Sequence, residues 1–156
     1  MTARDDLDLE TLDFGSVEPA EFARIVKGLP TRRIAELMSG PHRRRVLDEV
    51  FGRMHTRFKP DAAAGKDALI RWRITDGGHG GDDVYETHIG RGTCTVVAER
   101  TDREPQLSLT MAAPEFLRLV SGNASGPTLF FTRKLRLKGD IRLAGSLTYY
   151  FDIPKP

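Results

Sequence analysis

The residues of this chain that have the types chemistry uses are His79 and His88 near Asp82 and Asp83, the lone Cys94, two acids beside tyrosines, and a run of arginines. Three neighbouring nitrogen or oxygen ligands would suffice for a catalytic zinc. Yet His79, His88, Asp82 and Asp83 place no short-spaced pair on one helix or strand face, and surface histidines are the simpler reading. A nucleophilic Cys94 needs a base and a setting that stabilises its thiolate. It sits mid-strand with Val96 and Ala98, which suits a small buried hydrophobe. Asp140 or Asp152 beside Tyr149 or Tyr150 could enolise a ketone, as a buried acid with a phenol donor can. That would make the protein an enzyme on a small steroid or polyketide. Asp140 is better explained as a helix N-cap, and Asp152 as a helix exit. The glycines at 77–81 lead into a strand and lack the Lys-Ser/Thr ending of a phosphate loop, so they read as a hairpin. No catalytic residue, metal or cofactor is expected.

His42-Arg43-Arg44-Arg45 and Arg32-Arg33 make the N-terminal half locally basic. They can meet phosphates or anionic lipid heads, or form a solvated helix face paired with Asp48, Glu49 and an acidic N-terminal arm. Aromatic residues are not interleaved with them, which argues against a single-stranded nucleic-acid platform.

Positioning these groups falls to a chain of 156 residues, long enough for one domain with a core and no disulfides. Apolar residues make up 39% and charged ones 29%, the balance of a globular protein, and the net charge of +2 does not demand nucleic acid. Cys94 is the single cysteine, which excludes an internal disulfide or a multi-thiolate zinc site. No apolar run approaches a membrane span, and the acidic N-terminus has no signal core, so a cytoplasmic location is expected.

Residues 1–17 read as a loose acidic arm with one turn docked through Leu9, Leu12 and Phe14. Helices are expected from Glu18-Pro19 to Gly28, and from a Thr31 cap to Gly40. A longer one should run from about His42 to Phe58, with Val46, Leu47, Val50, Phe51, Met54 and Phe58 along one stripe. Alternation then predicts strands at 68–75, 84–89, 93–100 and 107–111, joined by short turns into an antiparallel meander. Ala113-Pro114-Glu115 opens a helix ending at Ser121-Gly122. Gly126–Phe131 is a short apolar turn feeding a fifth strand with Leu135 and Leu137 on one face. Asp140 caps a last helix carrying Ile141, Ala144, Leu147, Tyr150 and Phe151. The fold class is α+β, a five-stranded, mostly antiparallel sheet covered by helices. Residues 1–40 form an arm with short helices, and residues 41–156 the main domain.

The apolar excess near the C-terminus is either core or the lining of a ligand tunnel. Without a nucleophile–base couple beside it, such a pocket points to binding rather than turnover. Its carriers, with the elements before them, resemble the sterol-binding domain of the sterol carrier protein type 2 family over roughly 43–151. The specific parts are Phe130-Phe131, the run from Lys134 to Lys138-Gly139-Asp140, and the preceding Phe116-Leu117…Gly122 helix. The resemblance implies a hydrophobic tunnel that takes a sterol, fatty acid, acyl-coenzyme A or phospholipid without chemical change. It implies a wall of Trp72, Leu109, Met111, Phe116, Leu117, Val120, Phe130, Phe131, Leu135, Leu147 and Phe151. Arg43, Arg44 and Arg45 would hold an anionic head group or touch an anionic membrane surface transiently. Nucleic acid is not an expected partner, and the sequence sets no oligomeric state. Arg133 departs from the family, which often has glycine there. So does the Pro154-Lys155-Pro156 ending, where members directed to peroxisomes carry a small-basic-leucine tripeptide. An accessory interaction domain, its tunnel filled by side chains, is the other reading.

Overall fold

The computed structural model describes residues 12–75 and 81–155. His79 and Leu9 lie outside them. Two short helices come first, α1 (Pro19–Gly28) and α2 (Thr31–Leu37), then α3 (Arg43–Gly52). Their buried residues Phe22, Val26, Ile34, Leu37, Val46, Leu47 and Phe51 belong to one core, and Leu12 and Phe14 join it. Proline in the first turn starts α1, since its missing N–H would be unpaired there anyway. Thr31 does not cap α2: Pro30 occupies that position, and the Thr31 hydroxyl instead accepts from Arg118.

The helix expected over 42–58 is shorter than its apolar stripe. It stops at Gly52, a 3-10 turn covers Met54–Arg57, and Phe58 is extended. Phe58 pairs as an isolated bridge with Phe151. The Lys59 N–H donates to the Tyr150 carbonyl at 2.7 Å and that of Asp152 to the Arg57 carbonyl at 2.7 Å. Docking against the chain's C-terminal segment therefore overrides helical propensity in this stretch.

The strands are β1 (Ala68–Thr75), β2 (Asp83–Gly90), β3 (Thr93–Val97), β4 (Leu107–Ala112) and β5 (Leu135–Gly139). The sheet order is β3-β2-β1-β4-β5. β1, β2 and β3 form the expected antiparallel run, with Trp72 opposite Tyr85 and Ile89 opposite Cys94. β4 does not continue it. It crosses over and lies parallel to β1, placing Leu109 beside Trp72. β5 then pairs antiparallel with β4, Leu137 opposite Leu109. The crossover gives β1 a partner on each edge, which its residues require: Ala68, Leu69, Ile70, Trp72 and Ile74 are all buried.

The remaining helices are α4 (Ala113–Val120), α5 (Gly126–Phe131) and α6 (Ile141–Tyr150). Side-chain caps start the last two: Ser125 accepts from the Thr128 N–H and Asp140 from the Leu143 N–H at 3.1 Å. The helices cover the inner face of the sheet, where period-two alternation puts Ile70, Trp72, Tyr85, Leu107, Leu109, Met111 and Leu135. On the outer face a salt bridge is buried under the 98–106 loop. Glu86 is 1% exposed and accepts from Arg71 at 2.7 Å and from the Thr101 hydroxyl at 2.6 Å.

Candidate functional site

The space between sheet and helices is where the chain concentrates its aromatic rings. Phe51 reaches it because α3 turns Val46, Leu47 and Phe51 inward. Its ring stacks on Tyr85 with centroids 4.0 Å apart and on Phe116 at 4.7 Å. Trp72 meets Phe51 edge-on at 5.8 Å and Phe116 at 5.9 Å. The polar tips of this cluster are all satisfied. The Trp72 indole N–H donates to Thr87 Oγ1 at 3.0 Å, the Thr87 hydroxyl to Met54 Sδ at 3.3 Å, and the Tyr85 hydroxyl to Asp48 Oδ1 at 2.6 Å. Burial, reinforced by the bond to Asp48, pushes the Tyr85 phenol far above its ordinary range, so it remains a neutral donor.

Of the expected wall, Trp72, Leu109, Met111, Phe116, Leu117 and Leu135 come together in this core. Val120, Leu147 and Phe151 pack at its margin, half-buried. Phe130 and Phe131 stand apart, 45% and 80% exposed, with only their neighbour Leu129 buried among the residues of α5. The sequence reading missed Phe51 and Tyr85 as the centre of the cluster, although Phe51 sits four residues after Leu47 on the stripe that marks the inner face.

The basic run also divides. Arg43 is 5% exposed and structural. Its guanidinium donates to Asp83 Oδ2 at 2.7 Å and to the carbonyls of Met38 at 3.0 Å, Thr75 at 3.0 Å and Ile74 at 2.7 Å, which engages four of its five N–H groups inside the protein. Arg44 lies over the Tyr85 ring at 5.3 Å and bonds Asp48 and Asp83. Arg45 lies over Phe14 at 5.9 Å. The expectation that all three arginines serve a ligand is therefore corrected for Arg43, whose hydrogen bonds knit α3 to the end of β1.

The other chemistry-bearing groups are engaged separately. Asp82 pairs with Arg73 at 2.8 Å, and His88 with Asp67 at 2.9 Å. No cluster of three or more acidic, histidine or cysteine side chains suited to a metal occurs among the described residues. Cys94 is buried, and burial pushes its thiol up to about 11. Asp140 caps α6, Asp152 pairs with Arg57 at 2.9 Å, and Tyr149 projects outward.

Two hollows adjoin this arrangement. A small one of about 110 Å³ lies over the aromatic stack, lined by Asp48, Phe51, Gly52, Tyr85, Val96 and Ala98. A larger cleft of about 280 Å³ lies at the start of α4, lined by Thr75, Thr110, Met111, Ala112, Glu115, Arg133, Lys134 and Arg136. The larger carries three cations against one carboxylate, and the smaller opens on aromatic rings.

Residues 50–152 match the model of the SCP-2 sterol transfer family. Among solved structures the fold is similar to the stereoselective inverting sec-alkylsulfatase Pisa1 from a Pseudomonas species, with a TM-score of 0.60 at 18% identity. That likeness covers 68% of this chain but spans only 16% of the sulfatase. It is also similar to apo sterol carrier protein 2 from Yarrowia lipolytica, with a TM-score of 0.52 at 18% identity over 69% of this chain and 91% of the other. Palmitated SCP2L2 from Aedes aegypti gives a TM-score of 0.51 at 16% identity over 65% and 89%. At such identities these structures establish the fold. A search of curated proteins returned no match.

Proposed function

The chain belongs to the SCP-2 sterol transfer family, and from that premise we propose that it binds a hydrophobic lipid and transfers it chemically unchanged. The ligand class is a sterol, fatty acid, acyl-coenzyme A ester or phospholipid. The family match carries this reading, and the largely apolar inner face of the sheet, with Thr87 buried among its rings, supports it. The driving force is apolar burial, at ~0.8 kcal/mol for each methylene removed from water.

The rings of Phe51, Phe116 and Trp72 occupy the space a lipid would take, so uptake requires the helical layer to lift. α5 is the element best suited to move. It is six residues long and Leu129 alone among them is buried. Segments with few buried apolar contacts open at the lowest free-energy cost. A chain inserted there would run along Leu109, Met111, Phe116 and Leu135 and displace side-chain contacts rather than fill a vacancy.

Trp72 is the only tryptophan and lies in the middle of the cluster, so its emission reports occupancy directly. Titration with palmitate, cholesterol and lysophospholipid should change its intensity saturably, and denaturing extraction of the purified protein should release a stoichiometric lipid. Absence of both would remove the carrier reading.

The closeness of the Tyr85–Phe51–Phe116 stack favours one alternative: a domain whose interior is permanently filled and which serves as an interaction module. Such a domain would show unchanged Trp72 emission with every lipid tried.

A further inference from the structure

Phe131 is the most exposed large hydrophobic side chain among the described residues, at 80%, and it meets the half-exposed Phe130 edge-on with centroids 5.7 Å apart. The two rings form a single apolar knob at the end of α5. Core packing does not account for it, because Leu129 supplies the anchor.

The chain leaves α5 through a tight reversal. The Arg133 N–H donates to the Phe130 carbonyl at 3.1 Å and that of Lys134 to the Leu129 carbonyl at 2.8 Å, the two bonds of a Schellman motif. Its left-handed position, at φ +63°, is held by Arg133. Glycine adopts that conformation freely and arginine does not. A strained cation thus stands immediately beside an exposed apolar knob, at a position where glycine would fit the turn without strain.

Arg133 lines the 280 Å³ cleft with Lys134 and Arg136, and Thr75 and Thr110 border the same space. Its one carboxylate, Glu115, pairs with Arg118 at 3.9 Å. Among the described residues no acid pairs with Arg133, Lys134 or Arg136. The contrast with the 43–45 run is decisive. There Arg43 and Arg44 are paired with Asp83 and Asp48; here three cations share the cleft with one carboxylate, and none of the three is ion-paired among the described residues.

We propose that the α5–β5 corner docks this protein on an anionic phospholipid bilayer, with Phe130 and Phe131 entering the interfacial layer while Arg133, Lys134 and Arg136 take lipid phosphates. An apolar knob flanked by unpaired cations is the pairing that anionic membrane surfaces reward, since burial and charge attraction then act at one place. The inference deepens the lipid-carrier reading and rests on it for its purpose: docking would bring the helix best suited to lift against the source of lipid.

The test is co-sedimentation of the full chain with vesicles of phosphatidylcholine alone and with 30 mol% phosphatidylserine added, alongside thermal melting and sedimentation equilibrium. The wild type should bind the anionic vesicles and lose binding as salt rises. Arg133→Gly should weaken that binding about five-fold, the factor expected for one surface cation, while melting no lower than wild type because the glycine relaxes the turn. Phe131→Ser should weaken binding about ten-fold, the loss expected for one partly buried interfacial ring, at unchanged melting temperature, and Arg44→Ala should leave it unaltered. Failure of the wild type to bind anionic vesicles would overturn the proposal, as would wild-type binding by both Arg133→Gly and Phe131→Ser. Self-association that Phe131→Ser abolishes, without vesicle binding, would make the knob a contact between copies and also overturn it. Trp72 emission with free palmitate separates this from the carrier reading: uptake without docking sinks the docking surface alone, and docking without uptake leaves it standing.

Discussion

Replacing Arg43 with methionine tests the claim that one arginine of the basic run holds the fold. The substitution keeps the aliphatic stem and removes a guanidinium whose four hydrogen bonds reach Asp83 and the carbonyls of Met38, Thr75 and Ile74. Breaking a buried, hydrogen-bonded ion pair by removing one partner costs ~3–5 kcal/mol, mostly because the remaining groups are left unsatisfied. Asp83 softens the loss, since it is 22% exposed and keeps Arg44 at 3.0 Å. The carbonyls of Met38, Thr75 and Ile74 lose a charged donor, so a cost of ~3 kcal/mol is expected. For a chain of this size that lowers the melting temperature by about 6–12 °C. Arg43→Lys should recover only part of it, because a single ammonium cannot reproduce the planar fork that spans these acceptors. Arg44→Ala, at a half-exposed site, should cost less than ~1 kcal/mol. Urea titration of the three variants with Trp72 emission as the signal gives the values. If Arg43→Met and Arg44→Ala lose the same small amount, the buried network contributes nothing and the reasoning from its geometry is refuted.

Other outcomes follow from single sites. Glu86 is held below the ordinary carboxylate range: burial opposes its charge, but the bonds from Thr101 and Arg71 together outweigh that. Its contribution should be complete above the unfolded value near 4.5 and fade as pH falls through the lower folded value, so Glu86→Gln should flatten the acid limb of the stability–pH curve. For Cys94 the sign is reversed. A thiol raised by burial to about 11 leaves stability intact below the unfolded value of 9.0 and erodes it, on the order of 3 kcal/mol, as pH rises between the two. A thiol reagent at pH 8 should accordingly label Cys94 at the rate of unfolding, and rapid labelling of folded protein would contradict its burial. Gly139 stands at φ +109°, and a Cβ there would lie 2.3 Å from the Gln106 carbonyl oxygen. Gly139→Ala should cost ~3 kcal/mol or more, visible as a lower melting temperature.

Local features were open to reading because local physics decides them. The Asp140 cap, the Gly126–Phe131 turn and the inward set Ile70, Trp72 and Ile74 follow from side-chain type and period. The β1–β4 pairing was not legible, since the loop before β4 is compatible with either direction of chain return. Only the need to cover both edges of a strand as apolar as β1 selects the crossover. Arg43 left a usable trace: it lies three and four residues before Val46 and Leu47, on the inner stripe of α3, while Arg44 and Arg45 do not. The exposure of Phe130 and Phe131 left none. Apolar type makes a core position the default, and only the placement of Leu129 in the core turns the two rings outward.

The parallel seam has a consequence for the order of assembly. β1 and β2 are neighbours in sequence and can zip as a hairpin early, but the second edge of β1 waits for residues 107–112 to be made and brought back. Until then Leu69, Ile70, Trp72 and Ile74 sit on a strand with a bare row of amides and carbonyls, the kind of edge that recruits other chains. Gln106 then closes it, its side-chain oxygen accepting from the Leu69 N–H at 2.6 Å and its own N–H donating to the Leu69 carbonyl at 2.9 Å. A weakened β4 would reveal itself first as aggregation during refolding, before any loss in the finished fold.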